Sequence, residues 1–332
     1  MVKITLRPRD IARLSLLEKF SDPIPVLDQG YIKLVDVFGD DTDVVAAART
    51  SYVGNETDEG KRTDEQNERL IRLLFRSRHG TPFEMPVAKF QVRIPMDAWR
   101  QWIRHRTMSL NEYSTRYRPP IDAIAKTDPS AWRLQSKDSK QGSSGIVHLF
   151  DNDWLDVIPS VSNPEQAQTH PDAGSYLSER EQDFHKAALD LYRERTEVFG
   201  VAREQARKDL PLSTYTEAVI TLKGRNLFHF LGLRLDPDAQ QEIRRYAEAI
   251  FEIVKEWLPM SSRAFVDYEL AAVTFSRMEV EALRLAVSSM SAANREEIIR
   301  AVQAVCDRDG RELTKRERRE FADKLGIALK ND

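Results

Sequence analysis

VAKFQVRIPMDAWRQWIRHRTMSLNEYSTRY, residues 87–117, changes its period partway along, and that change decides the class of fold. Up to Pro95 the apolar and polar residues alternate, with Ala88, Phe90, Val92 and Ile94 on one side and Lys89, Gln91 and Arg93 on the other. This is the pattern of a strand with one buried face, ended by a proline. From Met96 the spacing becomes helical, and Trp99, Trp102 and Ile103 make an apolar face. RHRTMSLNEYSTRY (104–117) then gathers arginines, His105 and a carboxylate, Glu112, with Arg118 just beyond. A guanidinium fork matches phosphate or carboxylate in a way lysine does not. Gln101 and Arg104 lie one turn apart and share a helix face. Asn111, Ser114 and Thr115 add neutral hydrogen-bonding groups. Two readings stand open for this loop: a solvated charged surface, or an anion site of the kind a nucleotide needs.

The flanks extend the mixed pattern. YIKLVDVFG (31–39) reads as a strand and TDVVAAARTSY (42–52) as a helix capped by Thr42 or Asp43. VGNETDEGKRTDEQ reads as a loop, and NERLIRLLFRSRHG as a helix stopped by Gly80 as its C′ residue. Residues 117–174 read as long loops with short elements. SYLSEREQDFHKAALDLYRERTEVFG (175–200) is a long helix closed by Gly200, and VAREQARKDLPL a short one stopped by Pro211. STYTEAVITLK is a strand, GRNLFHFLGLRL a helix, and PDAQQEIRRYAEAIFEIVKEWLP a helix between Pro237 and Pro259. The tail is charged and helical, with TKRE (314–317) as a capping box. The class is α+β, with too few strands for a doubly wound sheet and no dinucleotide glycine fingerprint.

Composition narrows the function. The chain has 332 residues, 41% hydrophobic and 31% charged, with net charge −3. A general nucleic-acid binder is usually basic, so no nucleic acid is expected as partner. No apolar run is long enough to span a membrane. The first twenty residues read as a short amphipathic helix rather than a secretory signal, so a cytoplasmic location is expected. The single cysteine, Cys306, excludes an intrachain disulfide and a cysteine-built zinc site. No metal site is expected from six scattered histidines. Cys306 has no neighbours that would activate it as a nucleophile. In GRNLFHFLGLR, Leu227, Phe230, Leu231 and Arg234 fall on one stripe. Arg234 there is either a cation snorkelling to water or a poorly solvated cation aimed into a pocket. Arg225 and His229 share the neighbouring face.

These residues resemble the flavin-dependent thymidylate synthases. The family signature is Arg-His-Arg, seven residues, then Ser, and here it is Arg104-His105-Arg106 followed by Ser114. ARTSY (48–52), HGTPFE (79–84), ARKDLPLSTYT (206–216) and GRNLFHFLGLRLDPDAQQEIRRYA (224–247) match further family blocks in the family's order. WRLQSKDSKQGSSG (132–145) resembles a run in longer members. The resemblance covers roughly 30–270. It divides the chain into an N-terminal extension (1–30), a catalytic FAD- and dUMP-binding domain (31–270) and a helical C-terminal extension (271–332). It implies helices around a small, mainly antiparallel sheet.

The resemblance also implies a reaction: reductive methylation of dUMP to dTMP, with methylenetetrahydrofolate as carbon donor, FAD reduced by NADPH as hydride source, and no cysteine nucleophile. Hydride chemistry then belongs to the flavin, and the protein supplies position and field. By position, dUMP falls to Gln101, Arg104, Glu112, Tyr113, Ser114, Thr115 and Arg116, with Arg207 reaching the phosphate from a neighbouring subunit of a homotetramer. Arg234 lies beside the uracil and favours ionised N3, which makes it the catalytic residue. FAD falls to Ser51, His79, Thr81, Arg104, His105, Arg106, Glu112 and Arg225. The chain departs from the family pattern at Lys223 and His229, where many members carry Asn, and at Asp238, where some carry His. All three fall on the FAD side. The competing readings are a flavoprotein that only oxidises NADPH and, from another class, a nucleic-acid-binding module.

Overall fold

The computed structural model describes residues 7–50, 63–121, 123–137, 143–147, 156–304 and 312–327. Ser51 and Cys306 lie outside them. The strands are β1 (Ile24–Val26), β2 (Gly30–Phe38), β3 (Val87–Pro95), β4 (Ser109–Glu112), β5 (Arg133–Gln135), β6 (Ser143–Ile146) and β7 (Tyr215–Lys223). Five form an antiparallel sheet in the order β1-β2-β3-β7-β4, and β5 pairs with β6 separately. The period-2 pattern sets the register: Phe90 faces Ile220 and Val92 faces Ala218 across β3 and β7. One sheet face is therefore buried, through Ile32, Leu34, Phe90, Val92, Ile94, Ala218, Ile220 and Leu222. Burying one such large side chain contributes about 1.5–3 kcal/mol.

The principal helices up to Phe265 are α1 (Pro8–Lys19), α2 (Asp41–Arg49), α3 (Asp64–Arg76), α4 (Met96–Trp102), α5 (Ala173–Arg193), α6 (Gly224–Arg234), α7 (Gln241–Trp257) and α8 (Pro259–Phe265). Helices α4, α6 and α7 pack on the buried sheet face and on each other. Trp102 stacks on Phe230 at 4.7 Å between ring centres, and both are buried. The apolar faces read from the sequence at Trp99/Trp102 and at Leu227/Phe230/Leu231 are thus the seam between α4 and α6, whereas Ile103, expected on the first face, caps the end of α4 and is exposed. Helix α1 reaches the sheet through an ion pair from Arg13 to Asp36 on β2.

Residues from Val266 onward form a second compact unit. Its helices α9 (Arg277–Ser289), α10 (Ala292–Ala304) and α11 (Lys315–Leu325) enclose a small core of Val287, Ala322 and Ile327. Thr314 and Glu317 make the expected capping box at the start of α11. No helix among the described residues is long and apolar enough to cross a membrane.

Several boundaries differ from the sequence reading, each for a local reason. Asp40, not Thr42 or Asp43, caps α2, accepting from the Thr42 amide at 2.7 Å. Helix α3 starts at Asp64 because Thr63 and Gln66 form a capping box inside the stretch read as loop. The same helix ends at Arg76, and the left-handed turn falls on Arg78 (φ 54). Gly80 has φ −79 and is not the C′ residue. Helix α7 begins at Gln241, four residues after Pro237. Finally, Ser109–Glu112 is a strand within the arginine loop.

Candidate functional site

Helix α4 places Asp97 and Gln101 one turn apart on one face. Helix α6 ends at Arg234, where a cation complements the helix dipole. Because Leu227, Phe230 and Leu231 on the same stripe are buried, Arg234 is drawn under the surface with them. Its Nη2 donates to the backbone carbonyl of Gln101 at 3.3 Å. Its Nε is buried without a partner among the described residues, and so is Oε1 of Gln101. Burial alone pushes the guanidinium below its usual value, yet arginine stays charged. The two residues stand on a cleft of about 1450 Å³, whose wall also includes Asp97, Arg133, Gln240 and Glu242. A cation that water reaches poorly projects a stronger field onto whatever occupies the cleft.

The arginine loop leaves α4 by folding His105 beneath α6. The imidazole is 7% exposed, with its centre 5.6 Å from those of Phe230 and His229. Its Nε2 lies 3.1 Å from the Thr107 hydroxyl, and Asn226 donates to the Thr107 carbonyl at 2.8 Å. Burial first, and the neighbouring His229 second, push its pKa down and favour the neutral ring. Arg104 and Arg106 on either side are exposed.

Strand β4 continues the loop along β7. Glu112 accepts from the Thr216 hydroxyl at 2.8 Å. The Tyr113 amide donates to the Glu217 carbonyl at 2.7 Å, and its hydroxyl to the Pro119 carbonyl at 2.8 Å. The Ser114 carbonyl accepts from the amides of Tyr117 and Arg118, closing a turn. Thr115 is buried and its hydroxyl accepts from Arg207. Arg116 lies 3.5 Å from Glu204. Arg207 therefore meets the signature loop within one chain.

A third group forms where the 79–84 turn meets the start of α6. The Glu84 carboxylate accepts from Lys223 Nζ and from Arg225 Nη1, each at 3.1 Å. Lys223 first, then Arg225, hold that carboxyl below its usual range. A Cβ on Gly80 would lie 2.9 Å from Arg225 Nε, so the glycine permits this close approach. His79 and Thr81 are exposed on the same turn, and Asp238 is exposed on the cleft.

The structure thus pairs Gln101 with Arg234, His105 with His229, Thr115 with Arg207, and the 79–84 turn with Lys223 and Arg225. It shows no such pairing for Arg104 and Arg106, and Ser51 is outside the described residues. The residues present have the chemistry a dinucleotide cofactor needs: exposed cations at 104, 106, 223 and 225, and a tight Gly80 turn beside Arg225. Asp97, Arg133, Thr216 and Glu242 are not singled out by the sequence, and Glu84 enters there only within the HGTPFE turn (79–84). Asp97 carried a signal, since it stands four residues before Gln101 on a helix.

Residues 33–260 match the family model of the thymidylate synthase complementing proteins. The flavin-dependent thymidylate synthase of Thermus thermophilus is 44% identical over 264 residues, covering 79% of this chain and 84% of the relative. That of Gluconobacter oxydans is 38% identical over 302 residues, covering 88% of each. Among solved structures, a UMP/dUMP methylase, PolB, from Streptomyces cacaoi bound with 5-Br UMP superposes with a TM-score of 0.57. It is 30% identical, and the match covers 74% of this chain and 98% of that one.

Proposed function

The chain belongs to the flavin-dependent thymidylate synthase family, and we propose that it makes dTMP by reductive methylation of dUMP. The carbon comes from methylenetetrahydrofolate. FAD, reduced by NADPH, supplies the hydride when bound. The catalytic region is residues 31–270, which the family match at 33–260 supports, with 1–30 and 271–332 as additions.

The observation that carries this reading is the half-buried Arg234 guanidinium beside Gln101 on one cleft, each with a buried polar atom that has no partner among the described residues. Uracil is a weak nucleophile at C5. Removing its N3 proton pushes electron density toward C5 and readies that carbon to accept the one-carbon unit. A cation held beside N3 in a poorly solvated site stabilises the anionic ring. Arg234 has that character, and Gln101 can hydrogen-bond the same base. Thr115, Arg116 and Arg207, grouped around Ser114, offer hydroxyl and guanidinium donors for a phosphate. Glu112, fixed by Thr216, orients the nucleotide and the flavin between which it stands.

Arg104, His105, Arg106, Lys223, Arg225 and His229, with His79 and Thr81, hold FAD in this reading. The enzyme acts as a homotetramer with active sites shared between subunits. Arg104 and Arg106, exposed on either side of buried His105, are free to reach a ligand bound largely by a neighbouring copy. Purified protein given dUMP, methylenetetrahydrofolate and NADPH should release dTMP. NADPH oxidation without dTMP from FAD-loaded protein would overturn the methylation.

A further inference from the structure

Among the described residues the Arg234 side chain has one hydrogen bond, the 3.3 Å contact to the Gln101 carbonyl. The backbone that follows it, at Asp236, Pro237, Asp238, Ala239 and Gln240, lines the same cleft. Residues 235–240 join the end of α6 to the start of α7, and that joint is clamped at its far end. Gln240, the N-cap residue of α7, does not cap its own helix. Its side-chain amide instead reaches across the cleft to the Asp97 carboxylate at 3.4 Å. Asp97 sits one turn before Gln101 on α4. Two residues beyond Gln240, Glu242 accepts from Arg133 Nη2 at 2.6 Å, and Arg133 Nη1 also meets the Gln241 side chain. Arg133 belongs to the β5–β6 hairpin, more than a hundred residues earlier in the chain, and lines the same cleft.

We infer that Arg133 is a positioning residue for the nucleotide site, acting through Glu242 to fix the joint that follows Arg234 on the cleft wall. This rests on the dUMP reading given above. Three properties make Arg133 the stronger half of the clamp. Its fork contacts two successive side chains, which fixes direction as well as distance. Glu242 is a first-turn acid, favourable at the start of α7. And Glu242 Oε2 is buried without a partner among the described residues, so Arg133 is the cation that offsets its burial. The Asp97–Gln240 contact is longer and less directional. It closes the ring from α4 back to Gln101.

Removing Arg133 alone strands a part-buried carboxylate, so loss of stability and loss of positioning would be mixed. The double variant Arg133→Met/Glu242→Gln separates them, because neither charge remains. FAD-loaded wild type, Arg133→Met and the double variant are compared by thermal midpoint, bound flavin and equilibrium dialysis of dUMP. The expected result is a midpoint restored toward wild type in the double variant, unchanged flavin, and a dUMP Kd still raised about tenfold in both, equivalent to about 1.4 kcal/mol of binding. Arg133→Lys, which keeps charge but loses the fork, should fall between. A double variant with wild-type dUMP affinity would reduce Arg133 to a stability role and overturn the inference. Wild-type protein that binds no dUMP would instead overturn the functional reading, and this inference with it.

Discussion

Arg234 donates to the backbone carbonyl of Gln101, not to its side-chain amide, and leaves its own Nε and the Gln101 Oε1 as buried groups without partners among the described residues. Buried polar atoms are ordinarily satisfied. Two such atoms on residues that line one cleft mark that wall as a polar site to which a bound base can bring partners.

Arg234→Ala should therefore lower the rate of dTMP formation about 10²–10³-fold, the usual effect of deleting one preorganised electrostatic donor. Bound flavin should be retained, since the cations assigned to FAD stand at other positions. Arg234→Lys should recover little, because a compact ammonium does not reproduce the planar donor set. Turnover by the alanine variant within a few-fold of wild type, measured as dTMP released, would remove Arg234 from the chemistry.

Gly30 tests the frame on which the site stands. A Cβ there would lie 1.9 Å from the Tyr246 hydroxyl, 2.7 Å from the Val26 carbonyl and 2.8 Å from the Arg93 carbonyl. Tyr246 is fully buried on α7 and donates to that same Arg93 carbonyl at 2.7 Å. Gly30→Ala must shift β1, β2 or the tyrosine. It should cost about 1–3 kcal/mol, the range for overpacking, read as a lower midpoint in denaturant. An unchanged midpoint would mean the β1–β2 turn yields without strain.

Much of this frame was legible because periodicity is a local property. The alternation of Val87–Pro95 gave β3 with the bounds the structure shows, and the Leu227/Phe230/Leu231 stripe placed Arg234 at the end of a buried face. Strand β4 was not legible. All four of its residues are exposed, so no buried alternation marks it, and its pairing with β7 depends on residues a hundred positions away. Gly80 misled for a different reason. Its small size serves the approach of Arg225, while Arg78 takes the left-handed turn. The Arg133–Glu242 pair is equally silent in the sequence, since an ion pair between distant segments leaves no local pattern.

Strand β4 matters through Glu112. Its carboxylate is held by the Thr216 hydroxyl at 2.8 Å, a bond whose acceptor is charged and which is worth about 1.5–3 kcal/mol. Thr216→Val keeps the β-branched shape in a buried position and removes the donor. The dUMP Kd should rise about tenfold, as loss of roughly 1.4 kcal/mol gives, while Thr216→Ser should restore it. Equal affinities for all three proteins, by calorimetric titration, would show that Glu112 is oriented without Thr216.

His105 gives the site a pH dependence with a definite sign. Burial and the neighbouring His229 push its pKa below the ordinary 6.5, Arg234 works in the same direction, and the Asn226 backbone opposes them. The folded protein thus holds the neutral ring, whereas the unfolded chain takes up a proton near 6.5. Above that value both states are neutral and stability is unaffected. Below it the unfolded state binds more protons, so stability falls as pH falls, until the folded ring also protonates. His185, lowered mainly by burial, adds a loss of the same sign. Thermal midpoints measured from about pH 8 to about pH 5, the range where histidine changes charge, should be flat at first and then decline. His105→Gln should reduce the decline by its share and leave that of His185. A curve for His105→Gln that matches wild type would show that His105 keeps an unshifted pKa on folding. Protonated His105 would also place a positive charge in a buried site that Arg234 already disfavours for a cation. Acid in this window should therefore disturb the signature loop.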